Sequence, residues 1–181
     1  MKFLRRISVL SIVAVLATSA LAFGQERGND KVRKSPNAAV SQTIGTTVVE
    51  VTYGRPGLKG RSLDQLVPDG KVWRTGANES AVIRVSNDVM IGDVSVEAGT
   101  YSLYTMANDE AGTFTIIINS KLSWGTQHDA SKDVARTTVS TSSDNPFAEW
   151  FAINFDGLTD TSAIMNLHWG ARIAAVPITV K

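Results

Sequence analysis

The sequence predicts an all-β protein: an antiparallel β-sandwich or jelly-roll-like single domain with one short helical turn. Three observations carry this. Apolar residues recur at alternate positions in about ten short runs, the period of a half-buried strand. Turn residues separate those runs at roughly 8–12-residue spacing, the cadence of sandwiches and barrels. No stretch carries the wider apolar spacing of a long amphipathic helix, and no internal repeat is evident.

In chain order, residues 1–24 read as a signal peptide. Lys2, Arg5 and Arg6 precede an apolar run over residues 7–16, and Ala20-Leu21-Ala22 and Ala22-Phe23-Gly24 offer small-residue cleavage patterns. The run is short for a membrane span, so the mature form is expected to have none. An exported protein, periplasmic or secreted, is the expectation. Cysteine is absent, which removes lipid anchoring at a cysteine, disulfides and thiolate chemistry together.

Residues 25–36 (QERGNDKVRKSP) are charged and nearly free of apolar side chains, and predict a flexible lead-in. The β domain then spans residues 37–181. A hairpin is expected from residues 39–44 and 47–53, turning at Gly45, with Val49, Val51 and Tyr53 facing inward. Residues 62–66 are the one helical turn: Ser62 with Gln65 three positions later is a capping-box pattern. Residues 81–86 place Ala81, Ile83 and Val85 inward. Short strands follow at 89–91, 94–96 and 99–106, then Thr113–Asn119 with Phe114, Ile116 and Ile118 on one face. Residues 120–134 are irregular. Strands resume at 136–141, at 147–156 with Phe151, Ile153 and Phe155 aligned, and at 163–169 with Ala163, Met165, Leu167 and Trp169 inward. Residues 173–180 close the domain, where Pro177 suggests a sheet edge.

The long polar insertion is residues 53–80, YGRPGLKGRSLDQLVPDGKVWRTGANES. It gathers Arg55, Arg61, Trp73, Arg74, Asn78 and Glu79, and Gly76 would let Arg74 and Glu79 meet across a short turn. Guanidinium forks suit carboxylate or phosphate groups. Two readings stand side by side: a site for a polar or anionic small molecule or glycan, and an internal network pinning a long loop whose backbone lacks ladder partners. Trp124 and His128, in the second irregular stretch, extend the candidate site; Trp124 or Trp73 would supply an apolar wall. Trp169 reads as core and Trp150 as half-exposed.

Other chemistries find little support. Only His128 and His168 are available as imidazole ligands, in no metal-binding spacing, so no metal is expected. No phosphate-loop or dinucleotide fingerprint appears, and no cofactor is expected. No nucleophile elbow is present. His128-Asp129 would make a base with its orienter, although adjacent side chains tend to diverge. Without residues 1–24 the chain carries 15 Lys+Arg against 17 Asp+Glu, a net of −2 that gives no reason to expect nucleic acid.

The segments Arg55-Pro56, Lys59-Gly60-Arg61, WRTGANE from Trp73 to Glu79, and Gly99-Thr100-Tyr101-Ser102-Leu103 resemble the bacterial family known as domain of unknown function 2911. The resemblance runs from about Ser35 to Lys181, and Trp124-Gly125 fits a later motif. It implies exported β-rich proteins of Gram-negative bacteria and assigns no catalytic residues. It also implies an aromatic at position 128, which weakens His128 as a base. The expected function is an exported binding or accessory module. A hydrolase acting on envelope glycan through Glu79, which needs a second carboxylate across a cleft, and a purely structural envelope protein are the alternatives.

Overall fold

The computed structural model describes residues 27–180, so the expected signal peptide lies outside the described residues. Twelve strands form one antiparallel sheet: β1 (Asn37–Ile44), β2 (Thr47–Gly54), β3 (Val72–Trp73), β4 (Ala81–Val85), β5 (Val89–Ile91), β6 (Val94–Val96), β7 (Gly99–Asn108), β8 (Thr113–Asn119), β9 (Asp133–Ser142), β10 (Ala148–Asp156), β11 (Ser162–Gly170) and β12 (Arg172–Val180). The path runs β1-β2-β4-β7-β8-β9-β12-β11-β10, and its two end strands, β1 and β10, approach each other. The sheet is therefore nearly barrel-shaped. Coiling of a long twisted sheet brings its edges together and leaves few unpaired backbone groups.

The alternation read from sequence is the wall of this barrel. Val49, Val51, Ala81, Ile83, Ile116, Ile118, Phe151, Met165 and Trp169 all lie in one continuous buried cluster. The β1–β2 hairpin pairs Ile44 with Thr47 around Gly45 as expected. The one α-helical turn among the described residues, α1 (Leu63–Leu66), has the Gln65 Oε1 accepting the Ser62 N–H at 3.1 Å.

Pro177 does not mark an edge. β12 is central, with β11 along one side and β9 and then β5 along the other. Its pairing passes from β9 at Ile173 and Ala174 to β5 at Ile178–Val180, and Pro177 occupies the change-over. A proline is tolerated there because its missing N–H has no ladder partner to disappoint.

Residues 27–36 are not a free tail. Arg55 N–H donates to the Pro36 carbonyl at 2.8 Å, and Asn37 Nδ2 ties back to Asn29 Oδ1 at 2.7 Å. Arg27 is only 9% exposed. A polar segment with few apolar side chains is held here by hydrogen bonds to buried groups rather than by its own hydrophobic surface.

Candidate functional site

The WRTGANE stretch is built under strain. β3 pairs Trp73 with Thr105 of β7, and the chain then doubles back so that Ala81 N–H reaches the Arg74 carbonyl at 2.9 Å. Between these points Thr75, Gly76 and Asn78 take φ values of 51°, 151° and 67°. A β-branched threonine in the left-handed region is a backbone outlier that persists only where surrounding contacts impose it. Thr75 is fully buried, with its hydroxyl 3.4 Å from that of Thr105.

The second irregular stretch is stitched onto this loop. Gly125 N–H donates to Asn78 O at 3.1 Å and Ser80 N–H to Ser123 O at 3.2 Å, while Glu79 and Trp124 form an isolated bridge. Beneath lie buried hydroxyls: Ser80 Oγ is 2.8 Å from Ser102 Oγ, and Ser123 Oγ meets the Tyr104 hydroxyl. Two stretches far apart in sequence thus form one rigid rim.

On that rim Arg74, Asn78, Trp124 and Gln127 line an open hollow of about 360 Å³. Trp124 is 54% exposed. The Arg74 side chain makes no hydrogen bond or ion pair with any described residue, and its buried Nε has no acceptor. Burial alone pulls its pKa below the ordinary arginine value. A buried donor left without an acceptor is costly and uncommon in a folded protein.

Glu79 does not face Arg74. It is 3% exposed and belongs to residues 27–36. Arg33 Nη1 lies 2.8 Å from Glu79 Oε2 and Arg33 Nη2 lies 3.1 Å from Oε1, a two-pronged grip. Arg27 Nη1 adds a contact at 3.3 Å, and Arg27 Nη2 reaches the Glu79 and Ser80 carbonyls. Burial pushes the Glu79 carboxyl up, but the Arg33 hydrogen bonds and the charges of both arginines outweigh it, so its pKa falls below the usual value. Burial pulls Arg27 down to about 10, against the charge of Glu79, which leaves it a cation at neutral pH.

The remaining candidates separate. Arg55 Nε donates to Phe151 O at 2.9 Å, and Arg61 holds Leu58 O and Gly57 O at 2.9 and 3.0 Å; both anchor the crossover loop, and neither lines the Arg74 hollow. Trp73 is not a ligand wall: it stacks on Trp169 at 5.5 Å and meets Phe151 edge-on at 5.0 Å, as part of the core. His128 does not pair with Asp129. Its Nε2 lies 2.8 Å from Asp133 Oδ1, and its ring packs edge-on against Tyr104.

Asp133 also accepts from Asn119 Nδ2 at 2.6 Å and from Arg136 Nε at 2.9 Å. Burial raises its pKa, and these three partners more than reverse that, so the carboxyl titrates below its ordinary value. Asp133→Ala is expected to cost about 2 kcal/mol by stranding partly buried donors, read as a lower melting temperature. The wild-type contribution is complete above the unfolded aspartate value near pH 4 and disappears as pH falls through the lower folded value. The difference between variant and wild type should therefore shrink only in strong acid.

Sequence reasoning missed Arg27, Arg33 and Asp133. The first two sit in a stretch whose composition reads as solvated tail. Asp133 lies four residues beyond the more conspicuous His128-Asp129 pair.

A family model described as a protein of unknown function (DUF2911) matches residues 35–178. Comparison with curated proteins and with solved structures finds no match. The chain belongs to the DUF2911 family.

Proposed function

We propose that this DUF2911 protein is an exported binding module whose site is the Arg74–Asn78–Trp124 hollow, taking a small polar ligand that carries a carboxylate or similar anion, with sugar acids the leading class. One observation carries the reading: a half-buried guanidinium, with Nε lacking an acceptor among the described residues, beside an exposed tryptophan on a backbone held in strain. Arg74 would supply fixed positive charge, Trp124 a face for an apolar ring surface, and Asn78 and Gln127 hydrogen bonds that orient the ligand. Export rests on the charged, apolar and small-residue succession in residues 1–24.

The hydrolase alternative has weaker support. A general acid needs a carboxyl whose proton affinity is raised. That of Glu79 is lowered, and both its oxygens are held by Arg33. The structural reading suits Arg55, Arg61 and Glu79, which are all engaged internally, but gives Arg74 nothing to do.

The test compares thermal shifts of wild type and Arg74→Met across sugar acids, organic acids, peptidoglycan fragments and neutral sugars. Wild type is expected to gain stability with an anionic ligand by mass action, about 2.7 kcal/mol at a hundredfold excess over Kd. Arg74→Met is expected to melt at or above the wild-type temperature, since it removes a buried donor that lacks an acceptor, and to show no ligand shift. An Arg74→Met protein that melts well below wild type, together with no shift for any anion, would sink the binding reading.

A further inference from the structure

Two further hollows have Arg61 in both linings, and neither shares a lining residue with the Arg74 site. One, of about 460 Å³, has an apolar wall of Leu58, Leu63 and Phe147. Phe147 is 69% exposed, an aromatic the fold itself leaves uncovered. The other, of about 510 Å³, is lined by Lys34, Lys59 and Arg61.

The charge of this region is unbalanced. Arg61 uses Nε and Nη2 on loop carbonyls, which fixes its plane, and its Nη1 has no acceptor among the described residues. Lys59 Nζ stands 5.4 Å over the Trp150 ring, and neither Lys59 nor Lys34 has a carboxylate partner among the described residues. Arg172, on the apolar wall, is already matched by Asp109 at 2.7 Å and Asp64 at 3.7 Å. Among the described residues Glu149 is the one carboxylate in either lining, and its Oε1 accepts the Lys59 N–H at 2.7 Å.

We propose that the two hollows, spanned past Arg61, bind a monomeric anionic amphiphile, with its carboxylate or phosphate head at Lys34, Lys59 and Arg61 and its acyl-like body along Leu58, Leu63 and Phe147. Three cations without a carboxylate partner among the described residues select the head, and Arg61, its plane already fixed by two loop carbonyls, orients it. Burial of the chain against the uncovered Phe147 side supplies the non-directional part of the affinity. An apolar solute would find no reason to lie across the cationic end, and a bare anion would leave the apolar wall wet.

Calorimetric titration of the whole mature chain tests this, with decanoate and decyl phosphate below their micelle concentrations, decanol, acetate and inorganic phosphate. Decanoate and decyl phosphate are expected to saturate at one per chain. Decanol is expected to bind about tenfold more weakly, and acetate and phosphate not measurably. Phe147→Ser and Lys59→Gln are each expected to weaken decanoate by about fivefold or more, with melting temperatures unchanged, because both side chains stand at the surface. Equal affinity for decanol, equal affinity for free phosphate, or unaltered decanoate binding in both variants overturns the proposal. So does binding seen only with anionic phospholipid vesicles. Loss of decanoate binding in Arg74→Met would move the amphiphile to the other hollow and overturn this assignment.

Discussion

Gly54→Ala is expected to cost about 3 kcal/mol of folding stability, a fall in melting temperature of roughly 6–12 °C for a chain of this size. A Cβ at position 54 would lie 2.4 Å from the Ala77 carbonyl oxygen and 3.1 Å from its carbon. Both are backbone atoms, so no rotamer change relieves the clash. The opposing loop cannot retreat, because Ala81 and Gly125 hold the Arg74 and Asn78 carbonyls and Thr75 is sealed in the core. The approach is mutual: a Cβ on Gly76 would stand 2.8 Å from Gly54 O. Gly60→Ala is the control, since nothing lies within 4 Å of its Cβ and only its φ of 78° opposes the change, at about 1 kcal/mol. Urea melts of the two variants separate clash from conformational cost. If Gly54→Ala is no worse than Gly60→Ala, the loop is looser than this packing implies. Because the displaced loop carries Arg74 and Asn78, Gly54→Ala should also lose the ligand shift proposed for that hollow.

The same contact marks the boundary of what sequence pattern can reveal. Alternation at Val49, Val51 and Tyr53, or at Ala163, Met165, Leu167 and Trp169, reports a buried face directly, and those residues are buried. Alternation does not say which strand lies beside which. The central place of β12, the nearly closed path and the change of neighbour at Pro177 come from long-range pairing. Charge partners are equally hidden. An arginine pairs with whichever carboxylate is near in space, so Arg74, five residues from Glu79, has no partner among the described residues, while Arg27 and Arg33, some fifty residues away, take that carboxylate. Trp124 was legible as a candidate because it lies in a stretch without strand pattern. Trp73 lies in one too, but two-residue β3 carries it into the aromatic core.

Glu79→Gln is expected to release residues 27–36 from the domain. The amide keeps the shape of the carboxylate and loses the charge that offsets two guanidiniums. Leaving Arg27 buried without its counter-charge would cost about 3–5 kcal/mol, and the chain can avoid part of that by letting the arm undock. Limited proteolysis should therefore find new early cuts around Arg33 and Lys34, with a lower melting temperature. The acid limb provides a second reading. The folded pKa of Glu79 is depressed, so its contribution is complete above the unfolded glutamate value near pH 4.3 and is lost as pH falls through the lower folded value. Wild type should thus lose stability in acid more steeply than Glu79→Gln, and the two should converge there. Arg27→Met separates charge from packing: it leaves no buried charge alone, because Glu79 keeps the two-pronged grip of Arg33, and it removes a buried Nε that lacks an acceptor, so it is expected to be milder than Glu79→Gln. Identical digestion patterns and melting curves for Glu79→Gln and wild type would show that the arm is held by backbone contacts alone. If the arm does release, the Ser35 carbonyl leaves Asn78 Nδ2, its 3.3 Å partner. Asn78 lines the Arg74 hollow. Arm and hollow then share a side chain, and a ligand needing the Asn78 amide would compete with the docked arm for it.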